Sequence, residues 1–285
     1  MRDLEIIMAR ANRHFISGYA WHLTHRCHKR EFLLKFAKDK QPWMYWLLEA
    51  KKRFGLCVLN FTVTSNHVHL LIYDTGNGNA TIPKSIQLIA GKMGQEFNAR
   101  KGRNGAFWQD RYHATAVATD DHLIRCMVYI DLNMVPAGVV KHPEDWPFSG
   151  YRHILTPPKR YRLTDNKKIM ELMNIMEIDR FRKTYRDWVD SAIMRRDLKR
   201  QFEWTSSIAV GDKVYVENVK DQMGYKAIGR QVVENGDSFV LREPQTSYQS
   251  MSDRAEQLQP EDNTIYWQNG PENYLDSNTS LEGSF

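Results

Sequence analysis

The sequence has 285 residues, of which 42% are hydrophobic and 26% are charged, and its formal net charge is +6. A chain of this length can bury at least one substantial core, and no apolar run approaches the roughly 20 residues of a membrane span. We therefore expect a soluble globular protein without a membrane segment. Cys27, Cys57 and Cys126 lie far apart without CxxC spacing, so the sequence predicts neither a disulfide framework nor a thiolate zinc site, and a reducing cytoplasm fits best.

Charge is unevenly distributed along the chain. Residues 246–285 hold seven acidic residues and one basic residue, so this segment carries −6 and residues 1–245 carry +12. A basic body favours a polyanionic ligand, most simply nucleic acid. An ordinary solvated surface explains the same charge, so composition leaves both explanations open.

The apolar periodicity predicts strand, helix, strand, strand, helix, strand up to residue 118. The strands are expected at residues 19–24, 56–63, 67–72 and 114–118. Pro42 and Pro83 are expected at the first positions of the two helices, and a third helix should run from an N-cap at Thr119 or Asp120 to about Asn133. This order is the ferredoxin-like split βαββαβ pattern, so we predict an α+β fold with helices packed on the sheet.

The remainder of the chain has a different character. Residues 164–203 are predicted to be mainly helical, and a further short helix is expected between residues 211 and 224. A small hairpin is expected from residues 229–233 and 238–242, around the turn signal Asn235-Gly236. From residue 246 onward few apolar residues are present, so we expect this acidic tail to be disordered.

The most informative stretch is the predicted strand that begins with His67 and His69. Side chains alternate along a strand, so both imidazoles should lie on one face and Val68, Leu70 and Ile72 on the other. Two histidines satisfied by neighbours and two metal ligands are equally compatible with this motif alone.

The third predicted helix supplies the second half of a candidate site. Tyr129 and Asn133 are four residues apart and therefore lie on one face of that helix. Two imidazoles and an amide oxygen could hold Mn²⁺, or Mg²⁺ with retained water, and leave positions for phosphate oxygens. Tyr129 would then be the nucleophile that attacks a phosphodiester. By itself, a tyrosine with an amide one turn away is more often ordinary packing.

Four segments together resemble the HUH superfamily of single-tyrosine transposases, specifically the REP-associated, IS200-like type. They are Asn66-His67-Val68-His69-Leu70-Leu71, Phe107-Trp108-Gln109-Asp110-Arg111-Tyr112, Tyr129-Ile130-Asp131-Leu132-Asn133 and Trp146-Pro147-Phe148-Ser149-Gly150-Tyr151. The resemblance implies an HUH catalytic domain at residues 1–155, followed by a mainly helical extension at residues 156–245 and the tail at residues 246–285.

The resemblance also implies roles for individual residues. His67, His69 and Asn133 match the metal ligands, and Tyr129 matches the nucleophile that becomes joined to the 5′ phosphate of cleaved single-stranded DNA. The implied substrates are single strands folded into hairpins such as repetitive extragenic palindromes (REPs), and the implied protein is a monomer or homodimer. One departure is Pro136, which stands where members often carry a basic residue.

Basic and aromatic residues offer candidate contacts to single-stranded DNA, which is usually gripped by cationic grooves and aromatic platforms. We predict such contacts for Arg10, Arg13, Arg26, Lys92, Arg100, Lys101, Arg103, Trp108, Arg111 and Tyr112. Core packing explains Trp108 equally well, and a solvated face explains the individual cations.

Three functions therefore remain open at this stage. The first is a metal-dependent transposase that nicks and rejoins single-stranded DNA. The second is a hairpin-binding or regulatory protein of the same fold that has lost catalysis, for which Pro136 is the motivating feature. The third is a metal-dependent hydrolase or other enzyme in which Tyr129 is structural.

Overall fold

A computed structural model provides the structure of the protein and describes residues 15–195 and 201–243. The first part of the chain forms β1 (Ala20–Arg26), α1 (Ala37–Phe54), β2 (Cys57–Val63), β3 (His67–Tyr73), α2 (Gly78–Lys101), β4 (His113–Val117) and α3 (Asp121–Leu132). The second part forms α4 (Gly150–Leu155), α5 (Asn166–Leu172), α6 (Ile178–Met194), α7 (Glu203–Ser206), β5 (Ala209–Gly211), α8 (Lys213–Met223), β6 (Gln231–Asn235) and β7 (Ser238–Arg242). The acidic tail predicted from residue 246 lies outside the described residues.

The strands form one sheet in the order β2-β3-β1-β4-β5-β7-β6. β1 lies between β3 and β4 and is antiparallel to both, and β2 is antiparallel to β3. This arrangement of the first four strands is the predicted ferredoxin-like split βαββαβ topology, which the structure confirms.

The sheet continues into the C-terminal part of the chain, which the sequence did not predict. β5 pairs with β4 in parallel, and the hairpin of β6 and β7 is attached to the other edge of β5. The predicted hairpin itself is confirmed, with Gly236 in its turn at φ 59°. A domain boundary was predicted at residue 155, but strands from both sides of that residue belong to one sheet.

The predicted starts of the first two helices are wrong. α1 begins at Ala37 and α2 at Gly78, so Pro42 and Pro83 lie inside the helices, beyond the first turn. In α1 the true start is marked by Asp39, whose carboxylate accepts a hydrogen bond from the Phe36 N–H at 3.0 Å. A proline near a helix start forfeits a single backbone hydrogen bond, so it fixes the first position only to within a turn or so.

Helices cover both faces of the sheet. α1 and α2 pack on the face that carries Val68, Leu70 and Ile72, together with α8. α3, α4 and α6 pack on the opposite face, which also carries Leu71. Within the described residues, none of the helices has the length and apolar character needed to cross a membrane.

α3 is fixed on its face of the sheet by hydrogen bonds from β2. Its N-cap is Asp120, as predicted, and the Asp120 carboxylate accepts from the His122 N–H at 2.8 Å. Thr62 donates its hydroxyl to the Ile130 carbonyl at 2.8 Å, and the Asn60 amide donates to the Met127 carbonyl at 3.1 Å. These bonds anchor α3 to the sheet at successive positions.

A buried polar cluster joins the same helix to α6. The Asp131 carboxylate accepts a hydrogen bond from the Asn60 amide at 3.0 Å and from the Tyr185 hydroxyl at 2.5 Å. Burial raises the pKa of Asp131 to about 7, against the opposing effect of these two hydrogen bonds. The rotation of α3 about its own axis is therefore set from two directions, by β2 and by α6.

We predict that Gly150→Ala destabilises the protein, because an added Cβ would approach the Asn60 side-chain oxygen and also stand 3.1 Å from the Phe61 nitrogen. Overpacking of this kind costs about 1–3 kcal/mol. Gly91→Ala is the matched control, since nothing lies within 4 Å of its added Cβ and it lies within α2. Denaturant unfolding should show a loss for the first variant and none for the second; equal stability of the two would contradict the packing described.

A second prediction concerns pH. Because the folded-state pKa of Asp131 is raised above its ordinary value, the folded protein holds this proton more tightly than the unfolded chain. The Asp131 contribution to the free energy of unfolding therefore falls as pH rises from about 4 to about 7. Asp131→Asn removes this contribution, so the stability of the variant minus that of the wild type should increase across this range.

The comparison with the variant is required because buried histidines act in the opposite direction. Burial lowers the pKa of His22 and His153 to about 4, so their contributions rise with pH. Denaturant unfolding at pH 4.5 and pH 7.5, each within about half a unit of the ends of this pH range, measures the stability of Asp131→Asn minus that of the wild type. A difference that stays constant with pH would show that the Asp131 pKa is not raised.

Candidate nucleic-acid cleavage site

The two histidines lie on one face of β3, as their spacing predicts. His69 is buried with 1% exposure, whereas His67, at the start of the strand, is half-buried. Their ring centroids are 4.8 Å apart. The pair therefore spans the transition from the interior of the sheet to its surface.

The face of α3 that carries Tyr129 and Asn133 lies against these histidines. The Asn133 amide nitrogen is 3.1 Å from Nε2 of His69. The Tyr129 ring meets the His69 ring edge to face, with centroids 5.6 Å apart and planes at 90°. The structure thus brings together Tyr129, Asn133 and His69 within one chain, with His67 beside them.

His22 on β1 is a further member of this cluster, and the sequence did not indicate it. Its Nε2 is 2.8 Å from Nδ1 of His69, and its Nδ1 is 2.8 Å from the Trp204 carbonyl oxygen. Burial lowers the pKa of His22 to about 4, the Trp204 carbonyl having the opposite, smaller effect, so the ring is neutral near pH 7. A lone histidine in an apolar strand gave no signal of this role, because it depends on the pairing of β1 with β3.

Hydrogen bonds also orient the ring of His67. Its Nδ1 lies 2.7 Å from the Asn66 side-chain oxygen and 3.0 Å from the Thr64 hydroxyl. The amide oxygen of Asn66 can only accept, so Nδ1 of His67 carries the hydrogen and Nε2 carries the lone pair. Nε2 is consequently the nitrogen that could ligate a metal.

The residues present fit a divalent metal ion in chemistry and number. Among the described residues there is no group of three or more His, Cys, Asp or Glu side chains that could hold a metal. The candidate donors are therefore a mixed set, the imidazoles of His67 and His69 and the side-chain amide of Asn133. Asn133 presents its amide nitrogen to His69, and an end-for-end flip of the amide would present its oxygen instead. Such a mixed nitrogen and oxygen set suits Mn²⁺ or Mg²⁺ with additional water or phosphate ligands.

Among the predicted DNA contacts, Arg26 lies nearest to this cluster in the sheet. It is directly opposite His67 in the pairing of β1 with β3, so the two side chains share a face. The segment of Arg111 runs alongside, since the Gln109 N–H donates to the Arg26 carbonyl at 2.9 Å. Arg10 and Arg13 lie outside the described residues.

The predicted cations of α2, and Arg103 just beyond its end, are on the other side of the sheet, because α2 packs on the face opposite His69. Arg100 forms an ion pair with Asp39 at 2.6 Å, and Arg103 donates to the Ala106 carbonyl at 2.9 Å. Lys92 lies 5.5 Å from the Trp46 ring centroid, and Lys101 is exposed at the end of the helix. The structure does not bring these four residues to the histidine cluster.

The two predicted aromatic contacts are packed against the protein. Trp108 stacks on His25 with ring centroids 4.0 Å apart, and its indole nitrogen donates to the Ala90 carbonyl at 3.1 Å. Tyr112 is only 7% exposed. Tyr112 therefore offers no open stacking surface, and one face of the half-buried Trp108 ring is covered by His25.

Residues 15–133 match the family model described as "Transposase IS200 like". No curated protein matches the sequence. A structure of a REP-associated tyrosine transposase bound to a REP hairpin is similar at 23% identity, covering 55% of this chain and 94% of that chain, with a TM-score of 0.44. A crystal structure of a proposed transposase from Deinococcus radiodurans R1 is similar at 17% identity, covering 37% and 83% respectively, with a TM-score of 0.29.

The segment matched by the family model includes β1, β3 and α3, and ends at Asn133. It therefore contains His22, His67, His69, Tyr129 and Asn133, the whole cluster that the fold assembles from side chains. Over residues 15–133, the chain is similar to the family of IS200-like transposases.

Proposed function

We propose that this protein is a single-strand DNA transposase of the REP-associated type, in which Tyr129 is the nucleophile and His67, His69 and Asn133 hold a divalent metal ion. The observation that supports this most directly is the packing of α3 on β3. That packing puts the Tyr129 ring edge-on to His69 and the Asn133 amide 3.1 Å from the same imidazole. These contacts support the proposal because they place the candidate nucleophile beside the candidate metal-binding side chains.

The proposed reaction transfers a phosphoryl group from DNA to tyrosine. The phenol of Tyr129 gives up its proton to water, and its oxygen forms a bond to phosphorus while the bond from phosphorus to the 3′ oxygen breaks. The leaving oxygen takes up a proton, so one strand ends in a 3′ hydroxyl and the other remains joined to Tyr129 through its 5′ phosphate. The reverse attack by a 3′ hydroxyl rejoins the strand, which is why no external energy source is needed.

The residues around Tyr129 would determine how this reaction proceeds. A free phenol has a pKa of about 10 and attacks poorly near pH 7. A divalent metal ion, Mg²⁺ or Mn²⁺, would polarise the phosphodiester and favour the phenolate form of the tyrosine. α3 holds Tyr129 and Asn133 in fixed relation, since its position is determined by Thr62, Asn60 and Tyr185.

Tyr129 lies against the histidines of its own chain. The same α3 also packs on β2 and α6 of that chain through buried residues. We infer that the tyrosine serves the site of the subunit to which it belongs. A monomer is then sufficient for one cleavage, whether or not two copies associate.

The proposed substrate is a hairpin-forming single strand, REP-like in type, which follows from the motif resemblance. Arg26 supports a phosphate contact next to the histidines, because it is half-buried on the same face as His67. Arg111 supports a second contact, because it is exposed in the segment beside the end of β1. A strand lying along these two arginines would bring a phosphate towards Tyr129.

Pro136 was the feature that favoured a binding protein without catalysis. In the structure α3 ends at Leu132, and Asn133 retains helical backbone angles of φ −53° and ψ −32°. Pro136 therefore lies beyond the helix and leaves Tyr129 and Asn133 one turn apart on the same face. The structure gives no reason to prefer the inactive alternative.

Incubation with labelled hairpin DNA and Mn²⁺ should give a protein–DNA adduct that survives denaturation. Tyr129→Phe should abolish the adduct, and so should a chelator, because each removes one of the two proposed chemical groups. Tyr45→Phe, which alters an exposed tyrosine on α1, should leave it unchanged. Tight hairpin binding with no adduct from the wild type would instead establish the catalytically inactive alternative.

Arg26→Ala should weaken binding of single-stranded DNA of any sequence and make the affinity less sensitive to salt. Loss of one phosphate contact lowers the slope of log affinity against log salt by about 0.7. Lys92→Ala is the matched control, since this cation lies on α2 at the other face of the sheet. A larger effect of Lys92 than of Arg26, measured by fluorescence anisotropy across a salt series, would place the DNA on the other side of the protein.

A further inference from the structure

The hydrogen bonds of His22 have a consequence for the metal-binding atom of His69. Nδ1 of His22 is 2.8 Å from the Trp204 carbonyl oxygen, which can only accept a hydrogen bond. Nδ1 of His22 must therefore carry a hydrogen. A neutral imidazole has only one such hydrogen, so Nε2 of His22 carries a lone pair.

That lone pair faces Nδ1 of His69 at 2.8 Å, and the two rings are within 7° of parallel. A hydrogen bond at this distance needs one hydrogen between the two nitrogens, and His22 has none to give. Nδ1 of His69 must supply it. Nε2 of His69 is then left with the lone pair, on the side of Asn133.

The burial of the pair excludes the opposite arrangement. A doubly protonated His22 would place a charge in a side chain with 0% exposure, whose two nitrogens contact a neutral carbonyl and a neutral imidazole. Burial of an unpaired charge is strongly unfavourable. The neutral chain of donors, from His69 to His22 to Trp204, is the arrangement that the geometry allows.

The last acceptor in this chain belongs to the C-terminal part of the protein. Trp204 is on α7, 182 residues from His22 and well beyond the segment matched by the family model. The Thr115 hydroxyl lies 3.1 Å from the same carbonyl oxygen, while its shorter contact, 2.7 Å, is with the Ser207 carbonyl. The Trp204 side chain is 2% exposed, so the packing of its indole holds this carbonyl beside His22 and β4.

We propose that His22 is a positioning residue which, fixed by the Trp204 carbonyl, holds His69 in the tautomer with its lone pair on Nε2. This inference rests on the proposed function in so far as that lone pair binds the metal. Partners that fix the tautomer and orientation of a metal-binding histidine typically change metal affinity by 10- to 100-fold when they are removed. The C-terminal extension is thereby part of the metal site without contributing a ligand.

The first test is made on the full chain without metal or DNA. Nitrogen-15 NMR of labelled histidines distinguishes a protonated from an unprotonated ring nitrogen, and the His69 signals are assigned by their loss in His69→Gln. We expect Nδ1 of His69 to be protonated and Nε2 unprotonated in the wild type. A His69 that carries its hydrogen on Nε2 would overturn the proposal.

The second test compares substitutions at position 22. His22→Phe removes the acceptor, so His69 should lose its single tautomer and the dissociation constant for Mn²⁺, measured by calorimetry, should rise about 10- to 100-fold. His22→Gln retains an acceptor oxygen near the place of Nε2 and should restore most of the affinity. An unchanged affinity in His22→Phe, or an equal loss in both variants with the His69 tautomer intact, would show that His22 only packs.

His113→Phe is the matched control. His113 lies on the same face of the neighbouring strand and is 2.8 Å from the Ser207 carbonyl, but its bond to the C-terminal segment does not involve His69. It should leave both the tautomer and the Mn²⁺ affinity as in the wild type. A wild type with the expected tautomer but no Mn²⁺ binding would support the His22 inference and refute the metal-binding part of the proposed function.

Discussion

The organisation of this protein depends on the need to give hydrogen-bond partners to polar side chains buried on one face of its sheet. Asn60, Thr62, His69, His22 and Thr115 are all buried on strands β1 to β4. Each would cost free energy without a partner, on the order of 1–3 kcal/mol. The partners come mainly from helices that pack on this face, although the Thr24 hydroxyl on the same face of β1 is buried without a hydrogen-bond partner in the described structure. These hydrogen bonds fix α3 and α7 against the sheet.

α3 supplies backbone carbonyls and the Asp131 carboxylate as acceptors for Asn60 and Thr62. In this orientation, Tyr129 and Asn133 lie on the side of the helix that faces the histidines. α7 and the residue that follows it supply two carbonyls: Trp204 accepts a hydrogen bond from His22, and Ser207, at the C-cap, accepts one from Thr115. The proposed catalytic cluster is therefore continuous with the buried polar side chains of this face. It lies at the edge of a layer of buried polar side chains. The hydrogen bonds of the fully buried side chains position the residues at this edge.

The periodicity of side chains within one strand and one helix was sufficient to predict which candidate site residues share a face of each element. The alternation of a strand puts His67 and His69 on one face, and the helical period puts Tyr129 one turn from Asn133. The meeting of these two faces was a hypothesis that the fold confirms geometrically. His22 could not be found in this way, because its contact with His69 depends on the pairing of β1 with β3 and its contact with Trp204 spans 182 residues.

The predicted DNA contacts show a related limit. Charge marks Lys92 and Arg26 equally, but strand pairing places Arg26 opposite His67, and helix packing places Lys92 on the other face of the sheet. Composition likewise identified Trp108 and Tyr112 as aromatic candidates without showing that both are packed against the protein. Whether a side chain is buried depends on how the whole chain packs. A single sequence predicts burial only where apolar residues recur with a clear strand or helix period.

The proposed function requires a metal site next to Tyr129, formed by His67, His69 and Asn133. Anomalous X-ray diffraction from crystals grown with Mn²⁺ tests for this site, because the anomalous signal locates the metal independently of the protein electron density. We expect one strong peak ligated by Nε2 of both histidines and by the side-chain oxygen of Asn133, beside the Tyr129 hydroxyl. A well-ordered cluster with no peak at saturating Mn²⁺, or with the metal bound elsewhere on the sheet, would contradict it.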